Sequence, residues 1–243
     1  MHKSLLPSLC DPQPVLSGAD DQRLFALSTI SHAARLRSLR SWIHHYSRCS
    51  HVKEILIVWT KGQAPLVESL GASKPVRLRI APRNSLLQRF QPDSSITTPV
   101  ILSLDDDIYM TCRDLQKGFA AFQASPAQLV GYHPRLVEGQ PLLYRGEGYA
   151  KQARRFNVIL TGAVFMEHAK LFSHIMAAEL TPLRALVDEL MNGEDLLMNF
   201  VVANLTRGSH LPYAEAIPVT WRIHARRLIH QGGRAYMAMS DVR

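Results

Sequence analysis

The chain has 243 residues, 47% of them hydrophobic and 20% charged, with a formal net charge of +8 at pH 7 and a pI of about 9.7. This length suits one large domain or two small ones with a sizeable core. No apolar run reaches the roughly 18 residues of a membrane span. The N-terminus has no basic region followed by an apolar one, so we expect no signal peptide.

The positive charge is compatible with three kinds of surface: a solvated basic surface, a site for a phosphate-rich ligand or acidic glycan, and a nucleic-acid-binding face. The lysines and arginines are scattered through the chain. No helix-turn-helix, zinc-finger or RNA-binding signature accompanies them, so we expect no nucleic-acid partner.

Three cysteines, Cys10, Cys49 and Cys112, are widely spaced. The odd count and the spacing argue against a disulfide framework and against a zinc site. The cysteines alone are compatible with both an oxidising and a reducing compartment.

The pattern along the chain alternates between strand and helix signals. Residues 1–22 contain three prolines and little periodicity, so we expect a mobile leader there. Apolar runs predict strands at 24–30, 52–60, 75–81, 99–104, 129–134 and 156–166. Helical spacing or capping residues predict helices at 34–46, 114–124, 182–191 and 194–205. Residues 23–243 are therefore predicted to form one α/β domain with a mainly parallel sheet.

Three consecutive aspartates, Asp105, Asp106 and Asp107, follow the apolar run 99–104. In an extended chain Asp105 and Asp107 would point to one side and Asp106 to the other. They would lie at the carboxyl end of a central strand, where open α/β sheets bind ligands. Carboxylates suit Mg²⁺ or Mn²⁺, and the phosphates of a substrate would complete the ion's coordination. The alternatives are an acidic turn that caps the next helix and a calcium loop, whose EF-hand spacing is missing.

Two other segments carry candidate binding residues. Asp195 follows Glu194 at the start of a predicted helix, where its charge also complements the helix dipole. In the segment 83–90, Asn84 and Arg89 could bind a phosphate or a base, and the alternative is a solvated helix face.

Six segments occur in the order and spacing of the exostosin-like glycosyltransferases, glycosyltransferase family 64: VKEILIVWTKGQAP, NSLLQRF, VILSLDDDI, LVGYHPR, VILTGAVFM and NGEDLLMNF. The resemblance covers about residues 24–204. It is greatest to plant-type members, which resemble enzymes that decorate glycosyl inositol phosphorylceramides. It implies a GT-A fold with a mixed, mainly parallel sheet flanked by helices. It also implies a nucleotide-sugar donor, a Mn²⁺ (or Mg²⁺) held through a DxD motif, and retention of configuration at the anomeric carbon.

The resemblance also assigns residue roles. Asp107 would be the direct metal ligand, and Asp195, the second acid of the family's acidic pair, would be catalytic. Arg135 falls where the family lines the donor-sugar pocket, and we assign it to the catalytic group. The donor-binding positions match Arg35, Thr60, Asn84, Arg89, Asp105, Asp106, Gly162 and Ala163.

The chemistry of such a transfer fits these residue types. Breaking the bond between sugar and diphosphate builds negative charge on the leaving group, which a metal ion and Arg89 could stabilise. The sugar gains positive charge, which a carboxylate such as Asp195 could stabilise. No dedicated general base is evident, and the resemblance implies that the leaving phosphate accepts the proton of the acceptor.

The sequence departs from the family pattern at three places. Thr60 stands where the family usually has Asn, and its hydroxyl reaches less far. Gly193 stands where the family commonly has a Cys that is bridged to the C-terminal region. The family continues past this chain's end with a segment that supplies a catalytic arginine, so we expect the domain to be truncated at its C-terminus. The candidates for that arginine are Arg226, Arg227 and Arg243.

The sequence thus predicts a metal-dependent retaining glycosyltransferase that moves an N-acetylhexosamine or glucosamine from a UDP-sugar to a glycan or glycolipid acceptor. The alternatives are a GDP-mannose-dependent mannosyltransferase and a catalytically weak, donor-binding scaffold domain. The resemblance implies a membrane-associated protein of the Golgi or endoplasmic reticulum lumen, although no anchor is visible in this chain. The sequence is compatible with both homo-oligomers and hetero-oligomers of this protein.

Overall fold

The structure is a computed structural model that describes residues 24–206 and 217–218. The predicted leader and the candidate arginines Arg226, Arg227 and Arg243 lie outside these residues. In the described part of the chain, no helix is both long and apolar enough to cross a bilayer.

The strands and helices alternate along the chain as the sequence predicts. The strands are β1 Phe25–Ser31, β2 Val52–Trp59, β3 Val76–Ile80, β4 Val100–Leu104, β5 Val130–Gly131, β6 Pro134–Glu138, β7 Leu143–Arg145, β8 Val158–Ile159, β9 Ala163–Glu167 and β10 Ile217–Pro218. The α-helices are α1 Leu36–Tyr46, α2 Cys112–Ala124, α3 Glu147–Ala153, α4 His168–Ile175, α5 Thr181–Leu190 and α6 Glu194–Thr206. Short 3₁₀ helices span Ala33–Arg35, Val67–Leu70, Leu86–Phe90 and Ala178–Leu180.

Seven of these strands form one sheet in the order β10–β5–β9–β4–β1–β2–β3. The neighbours β1, β2, β3 and β4 pair in parallel, whereas β9 pairs antiparallel with both β4 and β5. A second sheet has the order β7–β6–β8. The prediction of a mixed, mainly parallel sheet flanked by helices is therefore confirmed.

Two apolar runs that each predict a single strand form two strands in different sheets. The run 129–134 gives β5 in the large sheet and the start of β6 in the small one. The run 156–166 gives β8 in the small sheet and β9 in the large one. Thr161 and Gly162 lie between β8 and β9, and there the chain passes from the small sheet to the large one. The apolar pattern continues on both sides of this change. An apolar run shows burial but not which sheet a residue joins.

The alternation of side chains along the central strands produces two hydrophobic cores, one on each face of the sheet. Leu27, Ile57 and Leu104 belong to the core that α1 and α2 cover. Leu56 and Ile101 belong to the core that α4, α5 and α6 cover. Both faces are covered, as continuous apolar strands of a parallel sheet require.

Cys49 and Cys112 form a disulfide whose Cα atoms are 5.3 Å apart. The expectation that disulfide bonding would be absent is therefore wrong for this pair. Cys49 follows α1 and Cys112 begins α2, and these two helices pack on the same core. The wide spacing in sequence did not exclude the bond because the fold brings the two ends together.

Candidate active site

The aspartate triplet lies where the chain leaves β4, the central strand of the large sheet. The chain does not stay extended there, because the amide of Ile108 donates to the carbonyl of Asp105 at 3.1 Å and closes a turn. Asp106 and Asp107 consequently share one cation, while Asp105 faces another. The grouping of Asp105 with Asp107 was expected only for an extended chain, and the turn removes that condition.

Arg35 is the cation that Asp106 and Asp107 share. Its Nη2 lies 2.6 Å from Asp106 Oδ1 and 2.8 Å from Asp107 Oδ2. The hydroxyl of Ser31, at the end of β1, donates to the other oxygen of Asp106 at 2.6 Å. Burial nevertheless raises the pKa of Asp106 to about 6, against the opposing effects of Arg35 and Ser31. Asp106 is thus held inside the protein, and Asp107 is the more exposed member of the pair.

Arg89 is the cation that faces Asp105. It lies on the 3₁₀ helix Leu86–Phe90 and is only 6% exposed, so the alternative of a solvated helix face does not apply to it. Its Nη2 is 2.9 Å from Asp105 Oδ1, and its Nη1 donates to the carbonyl of Thr161 at 3.3 Å. Arg89 therefore joins the aspartate turn to the loop that leads into β9.

Gly162 packs directly against the carboxylate of Asp105. Its carbonyl accepts from the Asp105 amide at 2.9 Å, and a Cβ at position 162 would lie 2.5 Å from Asp105 Oδ2. Only glycine leaves this carboxylate in place. The next residue, Ala163, begins β9, and its side chain is fully buried in the hydrophobic core beneath the site.

The acidic pair Glu194–Asp195 opens α6 close to the same loop. Oδ1 of Asp195 accepts from the amide of Thr161 at 2.5 Å and from its hydroxyl at 2.6 Å. Glu194 is 8% exposed, and its Oε2 has no hydrogen-bond partner within residues 24–206 and 217–218. Burial and the neighbouring charge of Asp195 raise the pKa of Glu194 to about 7, although Arg89 opposes this. The sequence predicted Glu194 as the first acid of the acidic pair but assigned a site role only to Asp195, and its burial beside Asp195 was not predicted.

Arg135 lies on β6 in the small sheet. Its Nη1 donates to the carbonyl of Pro134 at 3.0 Å and lies 3.5 Å from Oε2 of Glu147. Tyr144, on the neighbouring strand β7, pairs with Val137 of β6; burial raises the pKa of its hydroxyl, and the charges of Arg135 and Asp195 also act on it. The small sheet thus brings Arg135 towards the acidic pair, together with Tyr144, which the sequence analysis did not select.

Thr60 and Asn84 lie at the rim of this group. The hydroxyl of Thr60 donates to the carbonyl of Ser31 at 3.1 Å and ties the end of β2 to the end of β1. Asn84 is exposed, and its side chain has no hydrogen-bond partner in the part of the chain that the structure describes. Asn84 is therefore available to a ligand, whereas the hydroxyl of Thr60 already bonds to the backbone.

The residues present fit a metal ion that is shared with a ligand. Among the described residues, no group of three His, Cys, Asp or Glu side chains could enclose a metal. Asp107 offers a carboxylate whose side chain is 37% exposed at the carboxyl edge of the sheet. Mg²⁺-type sites commonly use one or two carboxylates and take their other ligands from water and substrate phosphates. Asp107 would hold such an ion.

The mixed sheet, its flanking helices and the acidic turn after the central strand define a GT-A-type fold. Residues 25–235 match the Glycosyl transferase family 64 domain, and the chain belongs to that family. The resemblance drawn from the six segments is confirmed.

Several known proteins are similar to this chain. Glucosamine inositolphosphorylceramide transferase 1 of Oryza sativa subsp. indica is 41% identical over 204 residues, which cover 84% of this chain and 27% of that protein. Exostosin-1c of Danio rerio is 34% identical over 170 residues, which cover 68% of this chain and 22% of that protein. The chain therefore spans about a quarter of the length of these relatives.

A solved structure, that of GalNAc-T7 with UDP, GalNAc and Mn²⁺, shares the fold with a TM-score of 0.52 at 12% identity. The match covers 75% of this chain and 41% of that one. At this identity the likeness concerns the fold alone.

Proposed function

We propose that this chain is the catalytic domain of a retaining glycosyltransferase that uses a UDP-sugar and a divalent cation. The observation that supports this most strongly is the meeting of two acidic groups around Arg89. Its guanidinium pairs with Asp105 in the aspartate turn and is close to Asp195 and Glu194 across the site. A sugar diphosphate needs cations that bind its phosphates, and it also needs a carboxylate near its anomeric carbon.

The phosphate end of the donor would lie at the aspartate turn. A bound Mn²⁺ or Mg²⁺ supplies positive charge to the diphosphate as the bond to the sugar breaks. Arg35 fixes Asp106 and Asp107 in their turn, so that the exposed carboxylate of Asp107 is already oriented. Asn84 is exposed and precedes Arg89 by five residues, and we propose that it contacts the nucleotide.

The sugar end would lie between Asp195 and the small sheet. Both hydrogen bonds from Thr161 go to Oδ1 of Asp195, so we expect its Oδ2 to face the sugar. A fixed carboxylate can stabilise positive charge on the ring without reorganising during the reaction. Arg135 and Tyr144 border the same space from β6 and β7 and are proposed to orient the sugar hydroxyls.

The named relatives bear on the substrates. One is called a glucosamine inositolphosphorylceramide transferase, which favours a UDP-linked glucosamine or N-acetylhexosamine as donor and a glycolipid as acceptor. We place the protein in the Golgi or endoplasmic reticulum lumen. The Cys49–Cys112 disulfide supports this compartment because disulfides persist where the environment is oxidising.

A panel of UDP-sugars and GDP-mannose, each with and without Mn²⁺, tests this function by reading hydrolysis and transfer. We expect UDP-sugar turnover that requires the cation, and Asp107→Ala should abolish the cation-dependent part of UDP binding. Glu68→Ala, on the exposed 3₁₀ helix Val67–Leu70, is the control that should bind as the wild type does. Cation-independent binding, or unchanged binding in Asp107→Ala, would overturn the metal role.

Two other outcomes would identify a different function. Turnover of GDP-mannose alone would make the protein a mannosyltransferase. Donor binding without any hydrolysis or transfer would indicate a scaffold domain, a reading that the engaged hydroxyl of Thr60 favours because it reduces the contacts available to the nucleotide.

A further inference from the structure

The hairpin of β6 and β7, together with the first turn of α3, exposes large apolar side chains. Leu142 is 75% exposed and Leu143 is 43% exposed, while Tyr144 and Tyr149 are 51% and 46% exposed. Single exposed apolar residues are ordinary, but four large ones within eight residues are characteristic of a contact surface. We call these four side chains the hairpin patch.

Four cations lie within about ten residues of the hairpin patch in sequence. They are Arg145, Lys151, Arg154 and Arg155. The guanidinium of Arg145 lies 4.9 Å from the centre of the Tyr149 ring, which holds a positive charge against the patch itself. The side chains of Lys151 and Arg155 are 55% and 70% exposed.

The carboxylates near the hairpin patch are less exposed than these cations. Glu138, which pairs with Arg155, is 21% exposed, and Glu147, which pairs with Lys151, is 24% exposed. Four cations therefore stand against two recessed carboxylates, and the surface presented to solvent is positive. Such a surface complements a negatively charged partner.

The hairpin patch also adjoins the candidate active site. Tyr144 belongs to the patch and pairs across the hairpin with Val137 of β6, two residues after Arg135. A surface that contacts the patch would therefore lie next to the place where the acceptor must approach the sugar.

We propose that the hairpin patch docks this domain on the surface of a bilayer that contains anionic lipids. Leu142 and Leu143 enter the boundary between headgroups and acyl chains, the tyrosines lie at headgroup level, and the cations contact lipid phosphates. This inference rests on the proposed function in one respect, the glycolipid acceptor. Docking in this orientation presents a lipid-linked acceptor to Asp195 without extracting it from the membrane.

Charge distinguishes the hairpin patch from a second apolar face. Helix α5 exposes Leu183, Leu186 and Leu190, but the same helix carries Asp188 and Glu189. Asp188 is paired with Arg83, but Glu189 is exposed and would repel an anionic lipid surface, so the hairpin patch suits such a surface better.

Co-sedimentation of the whole 243-residue chain with vesicles tests the proposal. We expect binding to phosphatidylcholine vesicles that contain about one third phosphatidylserine, little binding to pure phosphatidylcholine, and weakening by salt. The double variant Leu142→Ser/Leu143→Ser should lose about tenfold or more in vesicle affinity. Arg154→Gln/Arg155→Gln should lose roughly fivefold for each cation removed.

The matched control is Leu66→Ser, since Leu66 is 76% exposed and lies just before the 3₁₀ helix Val67–Leu70. It should bind vesicles as the wild type does. Equal loss in Leu66→Ser, loss only in the α5 variant Leu186→Ser, or unchanged binding in both hairpin variants would overturn the proposal. Circular dichroism and the melting temperature confirm that each variant is folded.

A second readout separates this proposal from the proposed function. The hairpin variants should retain donor hydrolysis and transfer to a short water-soluble acceptor, but lose transfer to an acceptor embedded in vesicles. Vesicle binding without any transfer would leave the docking surface standing and refute the proposed function. Transfer to the soluble acceptor without any vesicle binding would refute the docking surface and leave the proposed function standing.

Discussion

The guanidinium of Arg89 lies 2.9 Å from the carboxylate of Asp105, and the same group reaches the carbonyl of Thr161 at 3.3 Å. Burial acts to lower the pKa of Arg89, but the carboxylates of Asp105, Glu194 and Asp195 raise it overall. The cation thus joins three segments that are distant in sequence. Its removal would leave several carboxylates close together without a countercharge.

Replacing this cation is expected to destabilise the fold. Arg89→Met should lower the free energy of unfolding by about 1–3 kcal/mol, because Glu194, which is 8% exposed, and the buried Oδ1 of Asp105 would lose their countercharge. Arg83→Met is the matched control, since Arg83 pairs with Asp188 but its side chain is 62% exposed; that change should cost about 1 kcal/mol or less. Urea unfolding measures both. Equal losses in the two variants would show that Arg89 has no special structural role.

Gly162 is expected to tolerate no side chain. In Gly162→Ala the new Cβ would meet Asp105 Oδ2 at 2.5 Å, so the carboxylate must move. We expect UDP-sugar affinity to fall by roughly tenfold, because the carboxylate would leave its place beside Arg89 and a hydrogen bond to a charged group contributes about 1.5–3 kcal/mol. Gly146→Ala, where a Cβ would meet no atom within 4 Å, is the control for isothermal titration calorimetry. Normal donor binding in Gly162→Ala would exclude this packing role.

Asp195 is expected to act in transfer rather than in donor binding. In Asp195→Asn the side-chain oxygen can still accept both hydrogen bonds from Thr161, so the local structure should survive. The negative charge is lost, and we expect kcat to fall by about 10²–10³ while the Kd for the UDP-sugar changes little. Asp188→Asn, on α5, controls for the general effect of removing an acid. Unchanged turnover in Asp195→Asn would refute a catalytic role.

Glu194 is expected to make stability depend on pH. The pKa of Glu194 in the fold is raised to about 7, so the folded state keeps a proton that the unfolded chain has already released. This contribution is present below about pH 4.5 and is lost as the pH rises through about 7. Glu194→Gln stays neutral, so its melting temperature relative to the wild type should rise by several degrees from about pH 5 to about pH 8. Glu68→Gln is the exposed control; a pH-independent difference in Glu194→Gln would contradict the prediction.

The disulfide is expected to contribute to stability. Cys49→Ser/Cys112→Ser should lose about 2–4 kcal/mol, because the bond closes a loop across a sequence separation of 63 residues. Unfolding with and without a reductant provides the measurement: the reductant should destabilise the wild type and leave the double variant unchanged. No effect of the reductant on the wild type would show that the bond does not form.

The sequence predicted the elements well because their signals are local. The apolar run before Asp105 and the start of α2 both depend on residues a few positions apart. At the start of α2 the hydroxyl of Thr111 accepts from the amide of Asp114, three residues later, at 3.0 Å. The roles of Arg89 and Asp195 came from the family resemblance, and they stay predictions that the variants above will test.

The features that the sequence did not predict depend on distant parts of the chain. Cys49 and Cys112 meet only because α1 and α2 pack on one core. Tyr144 lies on β7 of the separate small sheet, where the charges of the acidic pair still act on the pKa of its hydroxyl, and Glu194 is buried. The period of an apolar pattern shows which face of an element is buried, but not which other element covers it.

The position of β9 has a consequence for how the protein is made. This strand is inserted between β4 and β5, and the loop before it supplies both Gly162 and Thr161 to the site. During synthesis on the ribosome the aspartate turn therefore emerges long before the strand and helix that complete its surroundings. A nascent chain of this length would not yet contain the complete candidate site, so the nucleotide sugar that we propose as donor could stabilise only a chain that has already been synthesised beyond α6.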